Sequence, residues 1–241
     1  MLTLFISDLH LDASRPEITA LFLQFLRGQA RDAEALYILG DLFEAWLGDD
    51  DPDPHHAGVM QAIRGLVDSG IPVHFMHGNR DFLIGAGFAS HTGVHLLPDP
   101  TLVQLHGTPT LLMHGDTLCT DDVEYQQFRK YARDPERQQA FLASPLEQRR
   151  AFVAQARAAS GLSTAQKPDE IMDVNQQTVE AVMRQHGVDC LIHGHTHRPG
   201  IHRFRSEGRQ KTRYVLGDWY HQGSMLHTEN HALQLVSLPL A

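Results

Sequence analysis

The chain has 241 residues, a formal net charge of -9, and a composition that is 42% hydrophobic and 20% charged. This length suits one domain, or one domain with an insertion, and the ordinary composition excludes a disordered or fibrous protein. The acidic balance argues against general nucleic-acid binding, which needs a basic surface to replace phosphate counterions.

The N-terminal segment predicts a buried first strand rather than a targeting sequence. Residues 2–6 are apolar, follow no basic region and precede no small-residue cleavage site, so we expect no signal peptide. No window approaches the roughly 18 apolar residues that a membrane-spanning helix requires. Cys119 and Cys190 lack CxxC spacing, so we expect neither a disulfide framework nor a thiolate zinc site. A cytoplasmic location fits these features.

Short apolar runs alternate with helical patterns along much of the chain. Apolar residues at helical spacing predict helices over 16–29 and 55–69. Buried strands are predicted at residues 2–6, 35–39, 73–76, 110–113 and 188–192. Beyond Pro199, shorter alternating strands are predicted at residues 200–204, 213–216 and 233–238. This order of elements predicts an α/β fold.

The stretch 120–175 interrupts this rhythm, because strand signals disappear and helix punctuation replaces them. The run SPLE at residues 144–147 is typical of a helix N-terminus, and good helix formers follow up to Gly161. We therefore predict a helical cap over residues 120–175, inserted into a core that is formed by residues 1–119 and 176–241.

The predicted cap is basic and carries an apolar stripe. Between residues 125 and 168, eight Lys or Arg residues outnumber three acidic ones, which makes this stretch +5 on an acidic chain. A solvated helix face explains such a pattern as readily as a binding surface does. Tyr125, Phe128 and Tyr131 lie at helical spacing, which indicates core packing or, within a basic insertion, contact with an amphiphile.

Metal-binding residue types follow five of the predicted strands at the point where each strand ends. The five segments are Asp8-Leu9-His10, Gly40-Asp41, Gly78-Asn79, His114-Gly115 and the run from His193 to His197. Ligands gather at the carboxyl ends of strands in an open α/β sheet, so these segments can converge. Each motif alone is weak, because Asp and Gly are common turn formers. Their conjunction in this order indicates a metal site.

The donors of these segments suffice for two divalent ions, since they comprise two Asp, one Asn and, besides His193, four His. Two ions about 3.5–4 Å apart require a bridging carboxylate, and together they acidify a water and clamp the attacked phosphoryl group. The neighbouring glycines at 40, 78, 115 and 194 allow sharp turns. We therefore predict a two-metal hydrolase of phosphoesters or phosphoanhydrides.

At these residues the sequence resembles the calcineurin-like metallophosphoesterase superfamily. The signature of that superfamily is Asp-x-His, Gly-Asp, Gly-Asn-His-Asp or Glu, His, and Gly-His-x-His. The resemblance implies a four-layer α/β architecture, in which a β-sandwich is flanked by helices. It implies one ion held by Asp8, His10, Asp41 and His197, and a second held by Asp41, Asn79, His114 and His195.

Arg80 stands where the superfamily has the histidine that protonates the leaving group. An arginine remains charged at all accessible pH, so it cannot be a general acid, but it is suited to grip phosphate oxygens. The leaving group must therefore be acidic already. A phosphate monoester released from a diphosphate meets this condition, whereas a sugar or lipid alkoxide does not. The sequence thus favours diphosphate cleavage.

The same departure marks one branch of the superfamily that the chain closely resembles, the diphosphatases that act on UDP-2,3-diacylglucosamine in lipid A biosynthesis. That branch also carries a helical cap between its fourth and fifth metal segments. The resemblance implies water attack on the UMP-side phosphorus, releasing UMP and 2,3-diacylglucosamine 1-phosphate. The substrate contacts that it implies are Asn79, Arg80, Asp122, Ser160, Thr164, Lys167 and His195.

This resemblance also sets expectations for the cofactor and the partners. Manganese is the usual ion of that branch, although the ligand types would also accept iron or zinc. The acyl chains of a nucleotide-sugar lipid would lie between cap and core. We expect a monomer, peripheral on the cytoplasmic face of the inner membrane and bound there through its basic and apolar cap. A soluble enzyme that meets its lipid by diffusion remains the alternative.

Two other functions stay open. The first is another metallophosphoesterase activity, on soluble nucleotide diphosphates or phosphodiesters. The second is a noncatalytic scaffold that keeps the fold without its metals, against which the full set of seven ligand positions argues. The acidic loop at residues 49–53 predicts no chemistry, and we expect it to be solvated.

Overall fold

A computed structural model describes residues 2–166, 171–229 and 232–240 of the chain. Two β-sheets pack face to face, and helices cover the outer face of each sheet. The predicted four-layer α/β architecture, a β-sandwich flanked by helices, is therefore confirmed.

Eleven strands lie within the described residues. They are β1 (Thr3–Ile6), β2 (Ala35–Leu39), β3 (Val73–Met76), β4 (His95–Leu97), β5 (Thr101–Leu105), β6 (Thr108–Leu112), β7 (Cys190–His193), β8 (Gly200–Ser206), β9 (Arg209–Val215), β10 (Gly223–Glu229) and β11 (Ala232–Leu238). The first sheet has the order β11-β10-β1-β2-β3-β4, and the second has the order β5-β6-β7-β9-β8. Within them, β1 to β4 run parallel, as do β6, β7 and β9.

The described helices are α1 (Pro16–Arg27), α2 (Pro54–Asp68), α3 (Ala86–Thr92), α4 (Val123–Ala132), α5 (Pro135–Leu142), α6 (Leu146–Gln166) and α7 (Gln176–Gln185). Of these, α1, α2 and α3 pack on the first sheet, and α7 packs on the second. Helices α4, α5 and α6 lie in the predicted insertion. In the part of the chain that the structure describes, no helix combines the length and the apolar character needed to span a membrane.

The core between the two sheets is built from the strands that the apolar runs predicted. Phe5, Leu39 and Met76 of the first sheet meet Leu112 and Ile192 of the second. Strands β1 to β3 are buried on both faces, because helices cover the side that does not face the second sheet. Such strands lose the polar alternation of a half-exposed sheet, and they therefore appear in the sequence as continuous apolar runs.

Strand β10 was not predicted from the sequence, although it is an interior strand of the first sheet, between β1 and β11. Its buried polar residues interrupt the apolar pattern. The Ser224 hydroxyl accepts a hydrogen bond from the Gly217 N–H, and the Thr228 hydroxyl accepts one from the Thr3 N–H. Because backbone groups from distant segments satisfy them, these hydroxyls can be buried at little cost.

The acidic loop at residues 49–53 is not merely solvated, because its first and last aspartates accept hydrogen bonds from the first turns of two helices. Asp49 accepts hydrogen bonds from the N–H groups of Gly87 and Phe88 in the first turn of α3, and from the Trp46 indole. Asp53 accepts one from the His55 N–H at the start of α2. These two carboxylates therefore satisfy donors that the helix termini leave free.

The Asp49→Ala variant is expected to lose about 1–2 kcal/mol of unfolding free energy, because N–H groups in the first turn of α3 and the Trp46 indole lose their acceptor. Urea-induced unfolding measures this loss. The control is Asp68→Ala, which removes an exposed ion pair with Arg64 and should change stability by less than about 0.5 kcal/mol. Equal effects of the two substitutions would contradict a capping role for Asp49.

Candidate two-metal active site

Two groups of metal-binding side chains lie where parallel strands end. The first group is Asp8, His10 and His197, and the second is Asp41, His114 and His195; within each group the ligand atoms all lie within 4.8 Å of one another. The side chains come from the segments that follow β1, β2, β6 and β7. The structure therefore brings together the residues that the strand ends predicted.

The first group surrounds a buried carboxylate oxygen that no donor reaches. Nε2 of His197 lies 3.4 Å from Asp8 Oδ1 and 3.1 Å from Nε2 of His10. The other oxygen of Asp8 accepts hydrogen bonds from the Ser7 hydroxyl and the His195 N–H. Asp8 Oδ1 has no hydrogen-bond partner among the described residues. A buried carboxylate oxygen that faces two imidazoles suits a cation, since burying it without a counter-charge is costly.

Asn79, which follows β3, lies beside the second group. The Asn79 side-chain oxygen lies 2.8 Å from His195 Nδ1 and 3.1 Å from His114 Nε2. Ligands about 2.1 Å from one ion and at right angles are roughly 3 Å apart, so these spacings fit a shared ion. His114 Nδ1 lies 2.8 Å from the Leu39 carbonyl, which leaves Nε2 free to bind.

Asp41 belongs to the second group and also lies close to the first. Its Oδ2 atom is 3.8 Å from Nε2 of His10 and 3.8 Å from Nε2 of His114. Its other oxygen accepts a hydrogen bond from the Arg80 N–H, which holds the carboxylate in place. One oxygen thus faces a ligand of each group, and this geometry fits the bridging role that the sequence resemblance implied.

Two carboxylates lie beside the imidazoles of the first group, and neither was identified from the sequence. Nδ1 of His10 lies 3.1 Å from Glu44 Oε2, and Nδ1 of His197 lies 3.7 Å from Asp218 Oδ2. A carboxylate beside Nδ1 favours the tautomer that leaves Nε2 unprotonated and able to bind a metal. Glu44 lies three residues after Asp41, but its partner could not be predicted from that spacing.

The ligand segments have strained backbone conformations. Seven described residues other than glycine have a positive φ, and five of them belong to the candidate ligand set: Asp8, His10, Asp41, His195 and His197. Such conformations are unfavourable for residues with a Cβ atom and persist where the surrounding structure imposes them. Gly78 lies so close to the Asp41 carboxylate that an added Cβ would overlap it, and Gly194 is as close to that of Asp8. The tight packing of these turns holds the carboxylates in position.

Comparison with known proteins assigns the family. The family model for calcineurin-like phosphoesterases matches residues 1–199. The chain belongs to the calcineurin-like phosphoesterase family. A UDP-2,3-diacylglucosamine hydrolase of Stenotrophomonas maltophilia is 55% identical to it over 236 residues, which cover 95% of each chain. One of Xanthomonas campestris is 53% identical over the full length of both chains.

The structural comparison agrees on the fold. An archaeal phosphodiesterase superposes on 99% of this chain with a TM-score of 0.50, at 12% sequence identity. At that identity the likeness concerns the fold alone. The suspected resemblance to the metallophosphoesterases is thus confirmed, and the candidate ligands lie in a phosphoesterase scaffold with room for two metal-binding groups.

Of the predicted substrate contacts, the structure places Asn79, Arg80 and His195 at this phosphoesterase site. The Arg80 side chain is partly exposed, and its Nη1 atom lies 4.0 Å from Glu44 Oε1. Asp122 lies at the start of α4, where it accepts a hydrogen bond from the Tyr125 N–H. Ser160 and Thr164 fall in the C-terminal part of α6, where only the backbone is described, and Lys167 lies outside the described residues.

Helix α4 is attached to the phosphoesterase core beside the second group. The buried Asp116 carboxylate accepts hydrogen bonds from the Tyr125 hydroxyl at 3.1 Å and from Arg129 Nε at 2.6 Å. Arg133 donates to the Gly78 carbonyl. The Tyr125 ring lies 5.6 Å from the ring of His195, so this cap residue faces the site. Sequence reasoning gave Asp116 no role, although it follows His114 by two positions.

Helix α6 is attached by a second row of ion pairs. Arg149 donates to Asp50 and to the Leu47 carbonyl, Arg150 pairs with Asp51, and Arg157 pairs with Glu44. Together with Arg129 and Arg133, at the C-terminal end of α4, five of the eight basic residues of the insertion contact core groups. The basic stretch is therefore used largely for docking within the molecule, which reduces the charge available for a lipid surface.

Saturating Mn²⁺ is expected to raise the free energy of unfolding of metal-stripped protein by about 2.7 kcal/mol for each ion bound at 100 times its dissociation constant, since only the folded chain assembles the ligands. Urea-induced unfolding in EDTA and in Mn²⁺ measures this difference. The His197→Ala variant provides the control and should gain less stability from the metal. An unchanged unfolding midpoint of the wild-type chain would contradict metal binding at these residues.

Proposed function

We propose that the chain hydrolyses the diphosphate of UDP-2,3-diacylglucosamine to UMP and 2,3-diacylglucosamine 1-phosphate, a step of lipid A biosynthesis. The observation that carries the proposal is a complete set of seven candidate metal ligands with Arg80 beside it instead of a histidine. The relatives with 53–55% identity over nearly all of the chain bear the name of this substrate.

The candidate ligands are Asp8, His10, Asp41 and His197 for one ion, and Asp41, Asn79, His114 and His195 for the other. We propose Mn²⁺ for both. When bound, two such ions supply Lewis-acid catalysis, because they acidify a water and offset the charge of the attacked phosphoryl group. The unpartnered oxygen of Asp8 and the convergence on Asn79 support this assignment.

Arg80 would bind and orient the diphosphate. Its backbone N–H donates to Asp41, which ties the arginine to the candidate bridging carboxylate, and its guanidinium lies near the site beside Glu44. The planar guanidinium forms paired hydrogen bonds to phosphate oxygens and offsets the charge that develops on them. Because arginine cannot supply a proton here, the departing group must leave as the anion of a phosphate monoester. This requirement supports a diphosphate over an alkyl phosphodiester.

We further propose that residues 120–175 form a cap over the site and that the acyl chains bind between cap and core. Tyr125 faces His195, whereas Phe128 and Tyr131 are about half exposed. The predicted aromatic stripe thus has one member at the site and two at the surface. An amphiphile bound at the junction would extend from the metal ligands towards these exposed rings.

The deciding experiment compares UDP-2,3-diacylglucosamine with its deacylated analogue. Metal-stripped protein is assayed for UMP release with and without Mn²⁺. We expect Mn²⁺-dependent cleavage of the acylated substrate only. Equal cleavage of both substrates would leave the hydrolase but remove the lipid specificity, in favour of a soluble nucleotide substrate. No cleavage of either substrate would support the noncatalytic scaffold.

We also propose peripheral attachment to the cytoplasmic face of the inner membrane, by a monomer. Large apolar side chains are exposed on the cap helices: Val123, Phe128, Tyr131, Leu142 and Phe152. Sedimentation with anionic and neutral vesicles tests this, with a Phe128→Ser/Phe152→Ser double variant as comparison. Binding of the wild-type chain to neither vesicle would contradict attachment, and sedimentation velocity checks the monomer.

A further inference from the structure

Glu44 lies at the junction between the candidate metal site and the cap, and its side chain is only 11% exposed. One carboxylate oxygen, Oε2, lies 3.1 Å from Nδ1 of His10. The other, Oε1, accepts a hydrogen bond of 2.8 Å from Arg157 on α6. Arg15 and Arg80 lie 3.9 and 4.0 Å away. A single carboxylate therefore contacts a candidate metal ligand and the cap at the same time.

The two contacts of Glu44 are mechanically linked. The carboxylate is a rigid plane, so a shift of Oε1 that follows Arg157 also moves Oε2 relative to His10. The contact with Oε2 favours the His10 tautomer in which Nε2 is free to point towards Asp8 and His197. The position of α6 therefore affects how well His10 is oriented as a ligand.

We propose that Glu44 is a positioning residue that couples docking of cap helix α6 to metal binding through His10. Docking of Arg157 then strengthens metal binding, and a bound metal strengthens docking of α6 by the same factor, because coupling free energies are reciprocal. The inference rests on the proposed two-metal site. It assigns to the cap a second role, beyond contact with the lipid part of the substrate.

The chain contains a matched control for this coupling. Arg150, on the same helix, donates to Asp51 at 2.8 Å, the same distance as in the pair of Arg157 and Glu44. Asp51 is also buried, with a side chain that is 5% exposed. Among the described residues, Asp51 forms no hydrogen bond or ion pair with a candidate metal ligand. Both pairs therefore tie α6 to the core, and only one of them reaches the site.

The test measures Mn²⁺ affinity by isothermal titration calorimetry, without any substrate. We expect Glu44→Gln and Arg157→Gln each to weaken binding about tenfold or more, as losses around a metal ligand usually do. The double variant should bind little worse than Glu44→Gln alone, since both changes break one path. Arg150→Gln should stay within about twofold of wild type. Arg157→Lys should recover part of the affinity.

A second readout follows the opposite direction of the coupling. Mn²⁺ should slow amide hydrogen exchange in the first half of α6 in the wild-type chain, and this protection should be lost in Glu44→Gln. Normal affinity in Arg157→Gln, or fully additive losses in the double variant, would overturn the coupling while leaving the metal site intact. Absence of Mn²⁺ binding by the wild-type chain would overturn both. Circular dichroism of each variant identifies any that fail to fold.

Discussion

Asp41→Asn is expected to lower kcat for UMP release by about 1000-fold. Two bound metal ions lower the activation barrier by several kcal/mol, and each 1.36 kcal/mol is a factor of ten in rate. The reason is the position of the carboxylate. Asp41 Oδ2 lies 3.8 Å from one imidazole of each metal-binding group, and the neutral amide of asparagine cannot bridge two cations as well. The side chain keeps its shape, so the fold should survive.

The measurement is steady-state release of UMP at saturating Mn²⁺, with Mn²⁺ binding followed by calorimetry. Asp68→Asn provides the control, because that aspartate is exposed on α2, where it pairs with Arg64, and should retain full activity. Activity of Asp41→Asn within tenfold of wild type would exclude the bridging role. Loss of activity with unchanged stoichiometry and affinity for Mn²⁺ would mean that Asp41 is not a metal ligand.

Arg80→Ala is expected to lower kcat/KM for the diphosphate substrate by about 100–1000-fold, comparable to the loss of one donor to a developing oxyanion. The guanidinium is held near the site by Glu44, and its backbone is held by Asp41. Lysine retains the charge but lacks the planar pair of donors, so Arg80→Lys should recover only part of the rate. Stopped assays of UMP release over a range of substrate concentrations measure kcat and KM.

The matched control for Arg80 is Arg64→Ala, which removes an exposed guanidinium on α2. This variant should leave kcat/KM unchanged. A further variant, Arg80→His, tests why the family histidine is missing, since it restores a proton donor. It should improve cleavage of a phosphodiester with an alkoxide leaving group relative to the diphosphate. Unchanged relative rates would contradict the link between Arg80 and an acidic leaving group.

The contacts of the proposed cap change the interpretation of its basic charge. From composition, the basic stretch could be a solvated helix face or a binding surface, and contact with anionic lipid was expected from the resemblance. In the fold, Arg149, Arg150 and Arg157 pair with acidic residues of the core, and the acidic loop that had no predicted purpose supplies two of those partners, Asp50 and Asp51. The membrane contact that we propose would therefore depend mainly on exposed apolar side chains of helices α4, α5 and α6 rather than on their net charge.

The α/β class and the candidate ligands could be predicted from local patterns in the sequence, and the four-layer architecture from the resemblance. Strands buried on both faces appear as apolar runs, and residues 35–39 and 73–76 were predicted with the bounds that β2 and β3 have. Metal-binding residue types at the ends of such runs are readable because a parallel sheet places those ends along one edge. The departure at Arg80 was equally local, because it occupies one position in a known spacing.

Contacts between side chains that are far apart in the chain could be found only in the tertiary structure. Arg157 and Glu44 are 113 residues apart, and Arg149 and Asp50 are 99 apart, so no local pattern could pair them. Strand β10 was hidden for the same reason, because its buried hydroxyls find partners in other segments. Periodicity and turn chemistry are properties of neighbouring residues, whereas ion pairs, tautomers and the docking of a cap depend on packing between elements. The residue types of the site could therefore be predicted from local motifs, whereas the orientation of their side chains depends on the fold.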